Sequence, residues 1–340
     1  MLLVLPNWQK CSMYQQFLLS YDIEIRLYLC PQRQLRMDRT KMSIQQLITP
    51  EKHNLGGFSV QRILPSETLK MVGPFIFFDH LGPAIFPAGK GVDVRPHPHI
   101  NLATVTYLFE GSLLHRDSLG TVQEIFPGEV NWMTAGKGIV HSERSPESFR
   151  EKESTLHGIQ TWIALPESAE EVEPSFSHYP ATDLPRWIQT GTSATLIAGS
   201  YQSHQSPVKT YSPILYLALV FTEGSQFQLA PIEGLERAVY SVTSGLFVNG
   251  KPLEPYRLAV LAPDESVDIR AGAEAKAMII GGAPVGDRTK DWNFVSSRSA
   301  RIEQAKRDWQ DRRFPAVPGE TEFIPLPDNS DPGSSATPPI

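Results

Sequence analysis

Short apolar runs of period two, each ended by Gly, Pro, Asn or Asp, fill the middle of this 340-residue chain in two successive sets. Alternation of that kind marks half-buried strands, not helices. Ala103–Phe109, Val122–Phe126, Val130–Met133 and Gly158–Leu165 make the first set. Ile214–Phe221, Ala238–Val242, Leu258–Leu261, Val267–Ile269 and Ala277–Ile280 make the second. Glu110-Gly111, Pro127-Gly128, Asn249-Gly250 and Ala271-Gly272 stand where hairpins would close. Many short strands occurring twice predict an all-β chain of two sandwiches or barrels. The stretch 166–185, rich in Pro and Glu, reads as the linker. One helix is expected within 291–314. Ile302, Ala305 and Trp309 line one face, Glu303 and Arg307 form an i,i+4 pair, and Ser296, Ser297 and Ser299 offer caps.

The two ends differ from this body. Residues 1–41 carry six basic side chains against Asp22, Glu24 and Asp38, with apolar stretches too short for a signal peptide. They read as an unstructured or mis-started extension, with Met42 as the expected start, in preference to an organelle address. Cys11 and Cys30 both fall there, which leaves the folded body without a thiol for a disulfide or a cysteine metal cluster. Residues 315–340 hold seven prolines, four acids and no Lys or Arg, and read as a disordered, solvated tail. With 31 basic and 37 acidic residues the formal charge is −6, so no nucleic-acid binding driven by overall charge is expected. No apolar run reaches the length of a membrane helix, and the expectation is a cytoplasmic protein.

Histidine carries the chemical signal. Seven of the nine lie between positions 53 and 157. Arg95-Pro-His-Pro-His-Ile100 sets His97 and His99 two apart, and Val140-His-Ser-Glu-Arg144 does the same for His141 and Glu143. Residues i and i+2 of a strand share a face. If the two strands are neighbours, three imidazoles and one carboxylate converge, a set suited to a borderline divalent first-row metal and not to calcium or magnesium. Pro96 and Pro98 stiffen the first strand and remove ladder donors, which places it at a sheet margin. Ala135-Gly-Lys-Gly138 supplies a turn just before the second.

These residues, in this order, resemble the pirin family of the cupin superfamily. The likeness runs through Gly56-Gly-Phe-Ser-Val60, Gly73-Pro-Phe-Ile-Phe-Phe-Asp-His80, Asp93-Val-Arg-Pro-His-Pro-His99 and Phe109-Glu-Gly-Ser112. It continues through His115-Arg-Asp-Ser-Leu-Gly120, Pro127-Gly-Glu129 and Thr134-Ala-Gly-Lys-Gly-Ile-Val-His-Ser-Glu-Arg144. The resemblance implies a bicupin of two β-barrel or jelly-roll domains. A metal-binding barrel is expected over 42–170 and a metal-free, structural one, with His204 alone, over 171–290. It further implies one metal ion, Fe2+ before Mn, Ni, Cu or Zn, held by His97, His99, His141 and Glu143. The general cupin pattern has a Glu shortly after His-x-His; here the next acid is Glu110, so Glu143 completes the set.

The activity implied is that of a quercetin 2,3-dioxygenase. A flavonol-like substrate loses its 3-hydroxyl proton to Glu143, and O2 opens the central ring with release of carbon monoxide. The alternative is a redox- or metal-sensing regulatory protein, resembling a transcription cofactor, with a protein partner and no turnover. A zinc-stabilised barrel with neither property is a third reading. Neither nucleic acid nor membrane is an expected direct partner. His115 and Asp117 form another same-face pair, placed either to bond a ligand imidazole or line the pocket, or to make a cross-strand hydrogen bond at the barrel surface. His80 is expected at the pocket rim, while His53, His157 and His178 are read as structural. Glu129 is a turn acid, and Arg144 an exposed ion pair.

Overall fold

The structure is a computed structural model that describes residues 43–54 and 58–327. The expected extension at 1–41, both cysteines and residues 328–340 lie outside the described residues.

Two antiparallel sandwiches make up the body. In the first, a seven-stranded sheet runs in the order Ser175–Tyr179, Val130–Thr134, Leu102–Glu110, Ser154–Ala164, Phe75–Phe86, Ser59–Leu64 and Glu51–Asn54. It faces a four-stranded sheet ordered Asp93–His99, Ile139–Arg144, Leu113–Asp117 and Val122–Ile125. The second repeats the plan with an eight-stranded sheet and a four-stranded one ordered Gln226–Leu229, Val267–Ala271, Leu246–Val248 and Lys251–Leu253. This is the expected all-β pair of barrels followed by a helix.

Side-chain alternation decides what each face does. From Leu102–Glu110, Ala103, Val105 and Tyr107 point out of the first barrel and meet Ile197, Ala198, Tyr216 and Tyr240 of the second. The two large sheets thus pack back to back, with Phe75 edge-on to Tyr216 at 5.2 Å and Phe78 against Tyr240 at 4.7 Å. The other face of each large sheet fills its own barrel.

Chain order and barrel membership part company at two points. Ile44–Ile48 pairs with Leu258–Leu261 in the second barrel, although it precedes every strand of the first. Ser175–Tyr179, in the expected linker, pairs with Val130–Thr134 of the first. Each barrel therefore closes on a strand from across the expected boundary at 170.

The helix forms at Ser299–Gln310 and buries Ile302, Ala305 and Trp309 as expected, but its surface chemistry differs. Arg298 stands at its N-cap with no side-chain cap bond. The Ser296 and Ser297 hydroxyls donate to the buried Glu170 carboxylate, an acceptor stronger than a peptide group. Glu303 pairs with Lys306 and not with Arg307, which donates to Gln304. Residues 315–327 do not behave as a solvated tail. Val317 is buried, and Phe323, Ile324 and Leu326 pack on the cluster formed by Ile100, Val140, Phe294 and Trp309. A few apolar side chains spaced among the prolines suffice, because Trp309 and the outer face of the small sheet stand ready to receive them.

Candidate metal centre

The interior of the first barrel is apolar at its two ends and polar between them. Val60, Leu81, Phe86, Val94, Leu108 and Leu156 fill one end; Phe77, Leu102, Met133, Ile139 and Trp162 fill the other. The band between holds His97, His99, His141 and Glu143, with Thr104, Thr106 and Gln160 contributed by the large sheet, all buried. The two ligand-bearing strands are neighbours, with His97 directly opposite His141. The turn between Thr134 and Ile139 sets up the second strand. Gly136 has φ +50°, and a Cβ there would land on the Val172 carbonyl oxygen, so only glycine fits.

Hydrogen bonds fix the proton on each imidazole. His97 Nδ1 lies 2.9 Å from the Arg95 carbonyl and His99 Nδ1 3.1 Å from that of Asn293. A carbonyl only accepts, so both Nδ1 atoms carry hydrogen and both Nε2 atoms a lone pair. The third ring is set through a relay. His115 Nε2 donates to Asp117 Oδ2 at 3.0 Å, and in the neutral form of this ring its Nδ1 accepts from His141 Nδ1 at 3.4 Å. His141 Nε2 is then unprotonated as well.

This arrangement passes a direct test for a cation. The ligating atoms of His97, His99 and His141 lie within 4.8 Å of one another. His99 Nε2 and His141 Nε2 are 3.1 Å apart, close enough for a hydrogen bond, but both protons are committed to Nδ1. Two facing lone pairs repel unless a cation sits between them. Nitrogens bound to one ion at about 2.0–2.2 Å stand about 3 Å apart at near-right angles, which matches. Burial holds the His99 and His141 rings well below the usual histidine pKa, with neighbouring histidines adding to the shift, so the rings are neutral and ready to ligate.

Glu143 is buried and points into the same band, outside the group of three. Gln160 Nε2 donates to its two carboxylate oxygens at 3.0 and 3.1 Å, and Thr106 Oγ1 to one at 3.4 Å. Burial raises its pKa to about 7, against the opposing pull of the Gln160 and Thr106 hydrogen bonds. A cation nearby would favour the ionised form. At Asp117 burial works upward too, but hydrogen bonds from His115 and Thr121 outweigh it and hold the carboxyl below its ordinary value.

Of the expected accessory residues, His115 and Asp117 lie behind the His141 ring, with His115 stacked on Phe176 at 4.4 Å. His80 does not stand at a pocket rim. It is fully buried at the seam between barrels, 2.7 Å from Tyr240 Oη and 2.8 Å from His157 Nε2. Phe75–Phe86 runs along that seam, which carries His80 away from any rim. His178 bonds Asn131, and Glu129 accepts from the Phe126 amide in its turn. Arg144 is half-buried, and the Glu320 carboxylate pushes its pKa further up. Thr106 and Gln160 escaped the sequence reading. Their signal was a polar residue at an inward position of an otherwise apolar strand.

A family model described as Pirin matches residues 57–163, and one described as the Pirin C-terminal cupin domain matches 216–315. A pirin-like protein of Caulobacter vibrioides is 47% identical over 290 residues, which covers 84% of this chain and 100% of that one. The crystal structure of quercetin 2,3-dioxygenase from Acinetobacter baumannii shares the fold at TM-score 0.77 and 34% identity, over 84% of this chain and 97% of that one. A bacterial pirin of Escherichia coli in complex with nickel(II) shares it at TM-score 0.57 and 18% identity, over 70% of this chain and 99% of that one.

Proposed function

This chain belongs to the pirin family, and we propose that its first barrel holds one divalent metal ion, iron(II) by preference, and cleaves a flavonol of the quercetin type with dioxygen. Three buried imidazoles whose lone pairs are forced to converge carry this reading. Glu143 is assigned as the fourth ligand and the base. The likeness to the Acinetobacter quercetin 2,3-dioxygenase supplies the substrate class.

The metal, when bound, supplies a Lewis acid able to favour a deprotonated substrate oxygen and to support chemistry with dioxygen. The rest is the work of the chain. His97, His99 and His141, all without exposure to solvent, keep the centre dry, and their fixed tautomers leave no proton to compete for the ion. Glu143, buried in the same band, takes the proton of the flavonol 3-hydroxyl. Gln160 and Thr106 hold its carboxylate in place and keep it aimed into the band. Flavonol and one O2 then give a depside and one carbon monoxide, with both oxygen atoms retained in the products.

The test is carbon monoxide release from quercetin in air by iron-loaded protein, beside His97→Ala and Glu143→Gln. Stoichiometric carbon monoxide from the wild type, none from His97→Ala and at least about a hundredfold less from Glu143→Gln are expected. Full turnover by metal-loaded Glu143→Gln contradicts the base assignment. No carbon monoxide from protein shown to contain iron removes the dioxygenase reading.

A further inference from the structure

Glu320 and Ile324 lie outside the barrel, yet each is bonded to a strand that carries candidate metal ligands. The Glu320 carboxylate accepts from Ser142 Oγ at 2.8 Å and from Arg144 Nε and Nη2 at 3.0 and 2.8 Å. Ser142 stands between His141 and Glu143, and Arg144 follows them. The Ile324 amide donates to the Pro96 carbonyl at 2.8 Å, one residue before His97. The Ile324 carbonyl in turn accepts from the Trp309 indole at 3.0 Å, which ties the segment to the helix.

These bonds fall where the sheet is weakest. Among the described residues, Asp93–His99 is an edge strand with a single neighbour in its sheet, Ile139–Arg144, and its register shifts between His97 and Val94. Pro96 and Pro98 contribute no N–H to that ladder. Arg144 spans the gap, since it also reaches Asp93 at 3.2 Å. Strap, His141 strand and His97 strand are thus joined through one guanidinium. Phe314, Val317, Phe323 and Ile324 hold the segment down on the outer-face cluster that includes Val140 and Ile100.

We propose that residues 314–326 form a strap over the back of the metal-bearing strands, with Glu320 and the Ile324 amide as positioning groups that govern how firmly the metal is retained. The proposal rests on the metal reading of the first barrel. It assigns the strap no contact with metal or substrate: it acts by holding the His97 and His141 strands at the spacing their nitrogens require. Outer partners of metal ligands typically alter affinity by about 10–100-fold when removed.

The experiment measures the rate at which iron(II)-loaded full-chain protein gives up its metal to a chromophoric chelator under anaerobic conditions. Glu320→Ala removes the carboxylate, Ile324→Pro removes the amide donor, and Glu320→Gln keeps an acceptor for Ser142 while losing the charge. Release about tenfold faster or more is expected for Glu320→Ala and Ile324→Pro, with Glu320→Gln in between. Each folded variant keeps the wild-type circular dichroism, so faster release reads positioning and not collapse; if Glu320→Ala fails to fold, the other two carry the comparison. Wild-type release rates in variants whose strap amides exchange faster with deuterium overturn the strap and leave the metal site standing. A wild type that takes up no iron(II) overturns both.

Discussion

Two barrels of one plan sit in this chain, and their interiors are opposites. The small sheets have the same strand order, so their positions can be matched. Where the first sets His97 opposite His141, the second sets Phe227 opposite Ile269. Asp117 faces His141 in the first, and Val248 faces Ile269 in the second. His115 faces Glu143, and Leu246 faces Ala271. Each of these five polar residues of the first barrel thus has an apolar counterpart in the second. The fold tolerates either interior. A barrel filled with Leu, Ile, Val and Phe gains stability from apolar burial alone, whereas buried imidazoles and a carboxylate must be satisfied by hydrogen bonds or by a cation. For stability alone the polar band is the costlier solution.

The comparison can be pushed hardest by converting one barrel into the other. The double change His97→Phe with His141→Ile is expected to abolish high-affinity metal binding, by at least about a thousandfold in titration, while melting of the metal-free protein stays level or rises. A smaller effect is expected from Asp117→Asn. An amide that presents its NH2 to His115 would reverse the relay and protonate His141 Nε2, so metal affinity should fall by about 10–100-fold with little change in fold. Unchanged affinity would show that the relay does not set the tautomer.

The seam between the barrels offers a test in pH. Burial lowers His80 to about 3, with His157 adding to the shift, and burial lowers His157 to about 4, with Lys276 adding. The unfolded chain therefore takes up protons from pH 6.5 downward while the folded chain resists. Stability is greatest above pH 6.5 and falls as the pH drops toward 3, by up to roughly 4 kcal/mol for fully buried His80 and less for its partly exposed partner. Melting temperature followed from pH 7 to 4 should decline less steeply in His80→Phe; an identical decline would take His80 out of the acid transition. Smallest of all, Ile269→Val in the second barrel should cost about 1 kcal/mol in denaturant unfolding and leave metal affinity untouched.

Much of this architecture was legible because strand signals are local. Ile214–Phe221 and Leu258–Leu261 coincide with their expected spans: each is a short apolar run ended by turn residues, with one face in a barrel and one against a neighbour. Phe75–Phe86 is buried on both faces over its first half, so it shows a continuous apolar run instead of alternation. Ile44–Ile48 could not be assigned to the second barrel from sequence, because the partner strand lies more than 200 positions away. The His97/His99 and His141/Glu143 pairs were visible through their spacing, and the structure makes their strands neighbours. Asn293 and Arg95 orient the rings through backbone carbonyls, which no residue type reveals. The strap was read as tail because it opens a stretch, residues 315–340, with seven prolines and no Lys or Arg, while its hold depends on Val317, Glu320 and Ile324 meeting a surface built elsewhere.

The central claim is that the first barrel alone holds one metal ion, at the three converging nitrogens. Anomalous diffraction from crystals of the iron(II)-loaded protein tests it most directly. One peak per chain is expected, about 2.0–2.2 Å from Nε2 of His97, His99 and His141, with Glu143 beside it and no peak inside the second barrel. A fully loaded protein with its metal elsewhere, or with a peak among Phe227, Leu229 and Ile269, would contradict the account.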